Sequence, residues 1–535
     1  MKFIMLKKSI WFTIVVCLWS LNYSFGQEWI RKYGGGAWDA GARWVIEDND
    51  RGFIILGDAK NYKYGWIIKT DINGYVIWNK KLGNGNYLEI PMNIEKARTN
   101  GYIISGTTGK LDYKNDPFIM RMNSCMEIQW CKVISTPNHS DFGQRIRQLP
   151  DKGYIFLSRY HSANISSRIS LIRFDSIGNM LWLQDYKPVD TLIFNEDGMD
   201  VLITGTNNYL ITGFCYHTDS LPNGGGWIHP YFIKTDSLGD VIWELPYGVQ
   251  NTFYGDAFNS VENFSGNIFS ASRHTIPTYG DAPSMIKTSS NGTELYHKDL
   301  VANTRGGLAT TITWLNSTKL VLAASWTTTG FIGPTGIFKI DTLGNIVAQK
   351  TFMNLTNTIS STAKTVDDKF ISIGSNATNG VFQIYAFKVN SDMQYDTIYT
   401  HQFTYDSLCP HPIVSDTVDP DCDVIVSIED PDLHPEKSQL QVFPNPATKQ
   451  LHVLLPLQLV ERSKTQSFFV TTVHQQWKET SLEVYNMSSV RIYQKNISKD
   501  QTRLEIDVSS WPKGMYFFRL VYNKQTVAGE KVIIE

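Results

Sequence analysis

Tyr62, Tyr64, Tyr113, Tyr160, His161, Tyr216, His217, Trp227, His229, His274, Tyr279, Trp326 and Phe331 stand in or beside polar segments between strongly apolar runs. Rings with polar tips suit recognition of a carbohydrate or a peptide, because the faces stack while hydroxyl, indole and imidazole groups hydrogen-bond. They are the ligand-binding candidates, and packing of their own loops is the competing use. His217 and His229 bracket a stretch containing Gly224, Gly225 and Gly226, but no third ligand stands at metal-site spacing. Neither a metal nor another cofactor is therefore expected. Asp39, Glu196, Asp197 and Asp256 form a second group. Two carboxylates flanking a scissile bond can hydrolyse a glycoside, so a secreted hydrolase of polysaccharide or peptide is the alternative. No Gly-x-Ser-x-Gly elbow and no Gly-rich phosphate loop ending in Lys occurs. Binding is the leading reading, and no catalytic residue is assigned.

A repeat must position these residues. Residues 66–78 read as an apolar run, an Asp-x-x-Gly turn, and a second run ending in Trp78. Copies of the turn begin at Asp71, Asn123, Asp175, Asp236, Ser289, Asp341 and Asn390. Trp78, Trp130, Trp182, Trp243, Tyr296, Ala348 and Thr397 each follow four residues after a turn's end. Asp first and Gly fourth is the type I preference, so each copy contains a tight hairpin. A near-continuous apolar run precedes each hairpin, as in Gly52-Phe-Ile-Ile-Leu-Gly, and reads as a strand buried on both faces. Four strands per copy at roughly 50 residues is propeller spacing. The expected fold is all-β: a seven-bladed β-propeller over 27–404. Glu28-Trp-Ile-Arg-Lys-Tyr-Gly matches Ile77-Trp-Asn-Lys-Lys-Leu-Gly, while the seventh copy has the weakest last strand. The N-terminal strand is thus expected to complete the seventh blade, which removes an exposed sheet edge. The long, variable loops then share one face, and the ring-bearing residues above lie on it.

Length and charge agree. A chain of 535 residues needs more than one core. A net charge of −2 with no run of one sign argues against a nucleic-acid partner. Lys2, Lys7 and Lys8 precede an apolar run from Ile10 to Leu21, and Ser24-Phe25-Gly26 offers a cleavage site. Residues 1–26 read as a secretory signal peptide, and export permits disulfides. Cys409 and Cys422 sit in the Pro/Asp-rich stretch 405–437, read as an extended linker, and are expected to pair with each other. Cys125 and Cys131 would be about 20 Å apart on one extended strand, beyond disulfide reach. They are expected to stay free, like Cys215.

Residues 438–535 change pattern to short alternating strands, the signature of an Ig-like β-sandwich. Two resemblances complete the reading. The unit Gly-Tyr-Ile-Ile … Ile-Lys-Thr-Asp-x-x-Gly-x-x-x-Trp-x-Lys resembles propeller repeats of secreted Bacteroidetes proteins, and carries over no catalytic residue. The opening Phe443-Pro444-Asn445-Pro446, the central Glu483-Val-Tyr-Asn, the Gly514-Met-Tyr516-Phe-Phe-Arg-Leu strand and the terminal Lys531-Val-Ile-Ile resemble a type A sorting domain of the type IX secretion system. An insertion at 463–479 departs from that pattern. The resemblance implies the secretion machinery and a sortase-like protease as partners, then release or attachment to surface lipopolysaccharide. The chain is accordingly expected at the outer-membrane surface or outside the cell, binding a glycan or protein there.

Overall fold

The computed structural model describes residues 29–535 except 36–38, 111–113, 137–138, 163–164, 191, 218–226, 250–251, 277–279, 328–332, 353–356, 379–380, 427–439, 456–479, 488–489, 499–500, 502 and 523–524. The signal segment, Tyr113, Tyr279, Phe331, the Gly224–Gly226 stretch and the 463–479 insertion lie outside the described residues, as does the side chain of His161.

Every regular element among the described residues is a strand. The repeat region folds into seven blade-like antiparallel sheets, here sheets 1 to 7, of which the first six are built on four successive strands. Their first strands are Ala40–Glu47, Glu89–Lys96, Phe142–Gln148, Ile193–Ile203, Gly255–Glu262, Gly306–Asn316 and Asn357–Lys364. Sheet 7 has only three strands of its own. Ile30–Tyr33 pairs antiparallel with its third strand, Val381–Val389, and supplies the fourth. Second strands are the most buried: every residue of Phe53–Ala59 and of Tyr102–Thr108 is buried, because each sheet is covered on both faces.

Two irregularities recur in register. Each first strand slips by one residue against the second, at Arg43, Met92, Gln144, Met199, Phe258, Thr310 and Ser360. Such bulges bend a strand and free a backbone amide. Polar side chains one residue on take up the freed amides of the next sheet. Asn93 accepts from Ile146 N, Asn259 from Ile312 N and Ser361 from Val45 N. The last of these bonds sheet 7 to sheet 1, and Arg51 reaches Asp367 across the same junction.

The second irregularity is the hairpin itself. All seven turns carry the fourth-to-first backbone bond, from Gly74 to Asp71 through Met393 to Asn390. In five copies the fourth residue is a glycine at φ 79–87°, a region costly for a side chain. A ring of the preceding sheet also closes on the site: a Cβ at Gly239 would lie 2.9 Å from Trp182, and one at Gly74 2.8 Å from Trp29. Trp29 donates to Ile72 O at 3.1 Å and Trp243 to Ser290 O at 3.2 Å. Four residues after its Trp, a Tyr donates to the glycine carbonyl: Tyr33 to Gly74, Tyr186 to Gly239, Tyr247 to Gly292. The repeat Trp therefore clamps one sheet onto the next.

The junction of sheets 1 and 2 departs from this rule. Turn 2 ends in Met126, and Trp78 donates instead to Asp406 at 2.8 Å. Asp406 belongs to the stretch expected to be an extended linker. Through residue 426 that stretch is a strap on the outer rim. Asp416–Val418 adds a parallel strand to Lys80–Leu82, and Asp423–Val426 adds one to Lys132–Ser135. Lys80–Asp416 and Lys132–Asp423 ion pairs, both 2.6 Å, run beside them. This path overturns the expected cysteine pairing. Cys409 bonds to Cys125 and Cys422 to Cys131, and neither Cys125 nor Cys131 is free. The 20 Å separation ruled out a bridge between Cys125 and Cys131, but it left open a second segment laid parallel to both. Cys215 is buried and unpaired.

The C-terminal region packs a three-stranded sheet, containing Gln450–Leu454, against a four-stranded one, containing Gly514–Tyr522, around a shared core that includes Leu451, Val484, Phe518 and Val532.

Candidate functional site

Connections from second to third strands, and from one sheet to the next, emerge at the same end of the repeat region. The short Asp-x-x-Gly turns occupy the other end. On sheet 4, His217 closes the second strand opposite Trp227, which opens the third, and Cys215 lies opposite His229. Cross-strand partners and alternate residues share a face, so these four project together. The His217 and His229 rings stand 5.5 Å apart, edge to face. His229 Nδ1 donates to the Tyr247 carbonyl at 2.8 Å, which leaves Nε2 as an acceptor, buried and without a partner. Burial, aided by His217, holds His229 below the usual imidazole range. His217 Nε2 donates to Asp190 at 3.1 Å.

The strip continues onto sheet 5. Phe253, 42% exposed, packs 4.5 Å from Trp227. Tyr254 is stitched to both sheets: its amide donates to Ile228 O and its carbonyl accepts from Thr275 N. Its ring lies 5.3 Å from His274 and 5.0 Å from His297, which are 4.4 Å from each other. His274 donates to Asp299 at 2.8 Å. Burial pushes His297 down to about 3, so it is neutral against Ser284 Oγ at 2.8 Å. The result is a ridge of stacking faces edged by imidazoles.

Of the ring residues expected to bind, His217, Trp227, His229 and His274 gather here. The others do not. Tyr62 and Tyr64 are on sheet 1, beneath the cations of Arg43 (5.6 Å) and Lys60 (5.7 Å). Tyr160 is buried 5.5 Å from His139, and Tyr216 packs beside Phe214 at 6.3 Å. Trp326 lies over Gly336 and Phe338 as part of the sheet 6 core. Phe253, Tyr254 and His297 were not foreseen, because two sit in a loop between copies and the third on an outer strand with no apolar alternation to flag it.

Three of the four acids are tied down. Arg273 holds Asp256 through two bonds of 3.0 and 2.6 Å, Arg159 pairs with Asp197, and Asp39 accepts from Phe382 N at 2.6 Å. Burial nevertheless raises Asp256 to about 6 and Glu196 to about 7. Asp48, Asp50 and Asp406 converge at the opposite end, but the buried ammonium of Lys69 already stands among them, 2.8 Å from Asp50.

In the C-terminal region Asn445, between Pro444 and Pro446, bridges to the last strand twice. It donates to Lys531 O at 2.8 Å and accepts from Ile533 N at 2.9 Å. Tyr516 donates to Pro512 O at 2.6 Å, Gly514 opens its strand, and the Lys531 ammonium stands 3.4 Å from Asp240 and 5.3 Å from the Trp182 ring centre.

Residues 441–535 match the family described as secretion system C-terminal sorting domain. The chain therefore carries a type IX sorting domain, and it is a cell-surface or extracellular protein that engages the type IX machinery. No curated protein matches it. Among solved structures it is similar to a protein of unknown function from Bacteroides caccae, with TM-score 0.34 and 11% identity over 54% of this chain and 90% of that one. It is also similar to Drosophila Plexin A in complex with Semaphorin 1b, with TM-score 0.39 and 9% identity over 68% and 87%. For the extracellular domains 1–2 of Drosophila Semaphorin 1b the TM-score is 0.37, with 8% identity over 68% and 86%. Likeness at this level assigns neither ligand nor activity.

Proposed function

We propose that the seven sheets are the blades of a closed seven-bladed β-propeller over 27–404, and that this propeller is a binding module for a glycan or protein outside the cell. The signal peptide, the sorting domain at 438–535 and its removal by a sortase-like protease deliver the module, followed by release or attachment to lipopolysaccharide. The observation that carries the binding reading is the ridge of Trp227, Phe253, Tyr254 and His274 across sheets 4 and 5. Trp227 and His274 stand on strands and Tyr254 is bonded between two sheets, and such preorganisation lowers the ordering cost of binding. The hydrolase reading is not favoured, because Asp197 and Asp256 are spent on Arg159 and Arg273.

The test is a glycan and peptide array probed with the purified propeller, followed by titration of the best hit. Trp227→Ala and Phe253→Ala are expected to weaken binding at least about tenfold, as for a central aromatic anchor. Blank arrays, or hits indifferent to both substitutions, would overturn the proposal.

A further inference from the structure

Two residues after the Trp position, the outer strand of most copies carries a cation. Arg31 on the strand that completes sheet 7, Lys80, Lys132, Lys298 and Lys350 hold that place, while sheet 3 has Gln184 and sheet 4 has Leu245. Sheet 5 shows what the cation does at a junction. On its outer strand, Glu294–Asp299, Lys298 lies 5.2 Å from the Tyr296 ring centre. It donates at 2.6 Å to Leu343 O, the third residue of the next turn, Asp341-Thr-Leu-Gly. Sheet 4 fills the place with an apolar contact instead, since a Cβ at Gly292 would lie 2.8 Å from Leu245. At the junction of sheets 3 and 4 the turn is Asp236-Ser-Leu-Gly and Trp182 covers Gly239, but Gln184 brings no cation. Trp182 Nε1 is buried with no partner among the described residues, whereas Trp29 and Trp243 bond to their turns.

The sorting domain supplies what sheet 3 lacks. Its last strand, Gln525–Ile534, stands against the outer strand of sheet 3, Met180–Tyr186, and a Cβ at Gly529 would lie 3.9 Å from Leu181 O. Lys531 then repeats the geometry of Lys298 from a distant part of the chain. Its ammonium is 5.3 Å from the Trp182 ring centre, donates to Leu238 O, again the third turn residue, and stands 3.4 Å from Asp240. Arg519, on the neighbouring strand and held by Glu483 at 2.9 Å, donates to Met180 O at 3.3 Å. Two cationic donors of the sorting domain thus meet carbonyls of one rim, and charge-assisted bonds of this kind are the stronger ones.

We propose that the junction of sheets 3 and 4 is a lysine seat, which binds the chain's own sorting domain through Lys531 in place of the cation missing at position 184. The seat takes its ring from one sheet and its carbonyl and carboxylate from the next turn, so only the folded repeat region offers it. While Lys531 is seated, the last strand of the sorting domain is held on the rim. The seat lies at the turn end of the sheets and the aromatic ridge at the loop end, so neither depends on the other.

Acetylation footprinting of the full-length chain with acetic anhydride, read by mass spectrometry, tests the proposal, with exposed Lys513 of the same domain as the internal reference. Lys531 is expected to react about tenfold more slowly than Lys513, because a hydrogen bond to a charged group withholds its ammonium. Gln184→Lys supplies the cation from sheet 3 itself, as Lys298 does on sheet 5, and should bring Lys531 to the rate of Lys513. Should Gln184→Lys not fold, Asp240→Lys, at an exposed turn position, repels Lys531 and should have the same effect. Carbodiimide coupling should join Lys531 to Asp240 in the wild-type chain and not in Gln184→Lys. Neither substitution should alter binding at the ridge, which separates failure here from failure there. Equal acetylation of Lys531 and Lys513 in the wild-type chain, no coupling of Lys531 to Asp240, or protection of Lys531 that survives either substitution would overturn the proposal.

Discussion

The two disulfides tie nearly the same pair of segments together, so their contributions to stability should not add. Either bridge alone closes a very long loop, with partners 284 or 291 residues apart. Closing such a loop restricts the unfolded chain by about 5–6 kcal/mol in the chain-entropy treatment. Once one bridge is present, the second closes a ring of only about 20 residues, worth about 3 kcal/mol. Removing either bridge by paired Cys→Ser substitution, at 125 and 409 or at 131 and 422, should therefore cost only about 3 kcal/mol. Removing both should cost up to about 9 kcal/mol, an upper bound set by residual structure in the unfolded chain. For roughly 400 cooperating residues the unfolding entropy is about 0.8 kcal/mol/K. The expected shifts in Tm are then about 4 °C for either single removal and about 11 °C for both. Differential scanning calorimetry of the three variants, under non-reducing conditions, reads this directly. Peptide mapping that found Cys409 joined to Cys422 would refute the connectivity. Additive losses would refute the reasoning, since they would mean the bridges act locally rather than on the chain.

Trp29→Ala removes a fully buried ring and its bond to Ile72, and should cost about 3–5 kcal/mol by urea unfolding. A loss under 1 kcal/mol would show that the N-terminal strand does not hold the ring. Gly239→Ala meets both a φ of 86° and the Trp182 ring, and should lower Tm by more than Gly205→Ala, whose surroundings are open. Lys69→Met leaves the carboxylates of buried Asp48 and partly buried Asp50 facing each other, with an expected cost of about 3–5 kcal/mol by urea unfolding. Glu196 is raised from an ordinary glutamate value to about 7, mainly by burial, so the folded state holds its proton more tightly than the unfolded state does. Its effect on stability is thus neutral near pH 4 and becomes a penalty as pH rises to 7. Glu196→Gln should raise stability at pH 8 by at most about 3 kcal/mol and change little at pH 4.5, measured by urea titration.

The periodicity was open to reading because the repeat is a local device. An Asp that accepts the amides of the second and fourth following residues makes its own turn. Asp341, for example, binds Leu343 N and Asn345 N in a loop with no help from elsewhere. The apolar second strands announce themselves for the same reason, as both of their faces are covered in every copy. The aromatic ridge was half visible. His217, Trp227, His229 and His274 could be named from residue type, but Phe253, Tyr254 and His297 join them only because Tyr254 is sewn between two sheets. Tyr62, Tyr160 and Trp326 have the same chemistry and are drawn elsewhere by Arg43, His139 and Phe338.

By itself the sequence determined the seven turns, the strand that returns from the N-terminus to the last sheet, and the C-terminal sorting domain. Each is written in short-range spacing, where turn geometry and alternation act over a few residues. Tertiary structure decided the rest. The course of 405–426 depends on which rim it meets, and no local preference states that Cys409 will find Cys125 284 residues away. The clamp of Trp29 on Gly74 and the reach of Arg145 to Trp44 likewise join residues that only the stacking of sheets brings together. Side chains on different sheets carry no mutual signal in the order of the chain, so their chemistry appears only once the sheets are packed together.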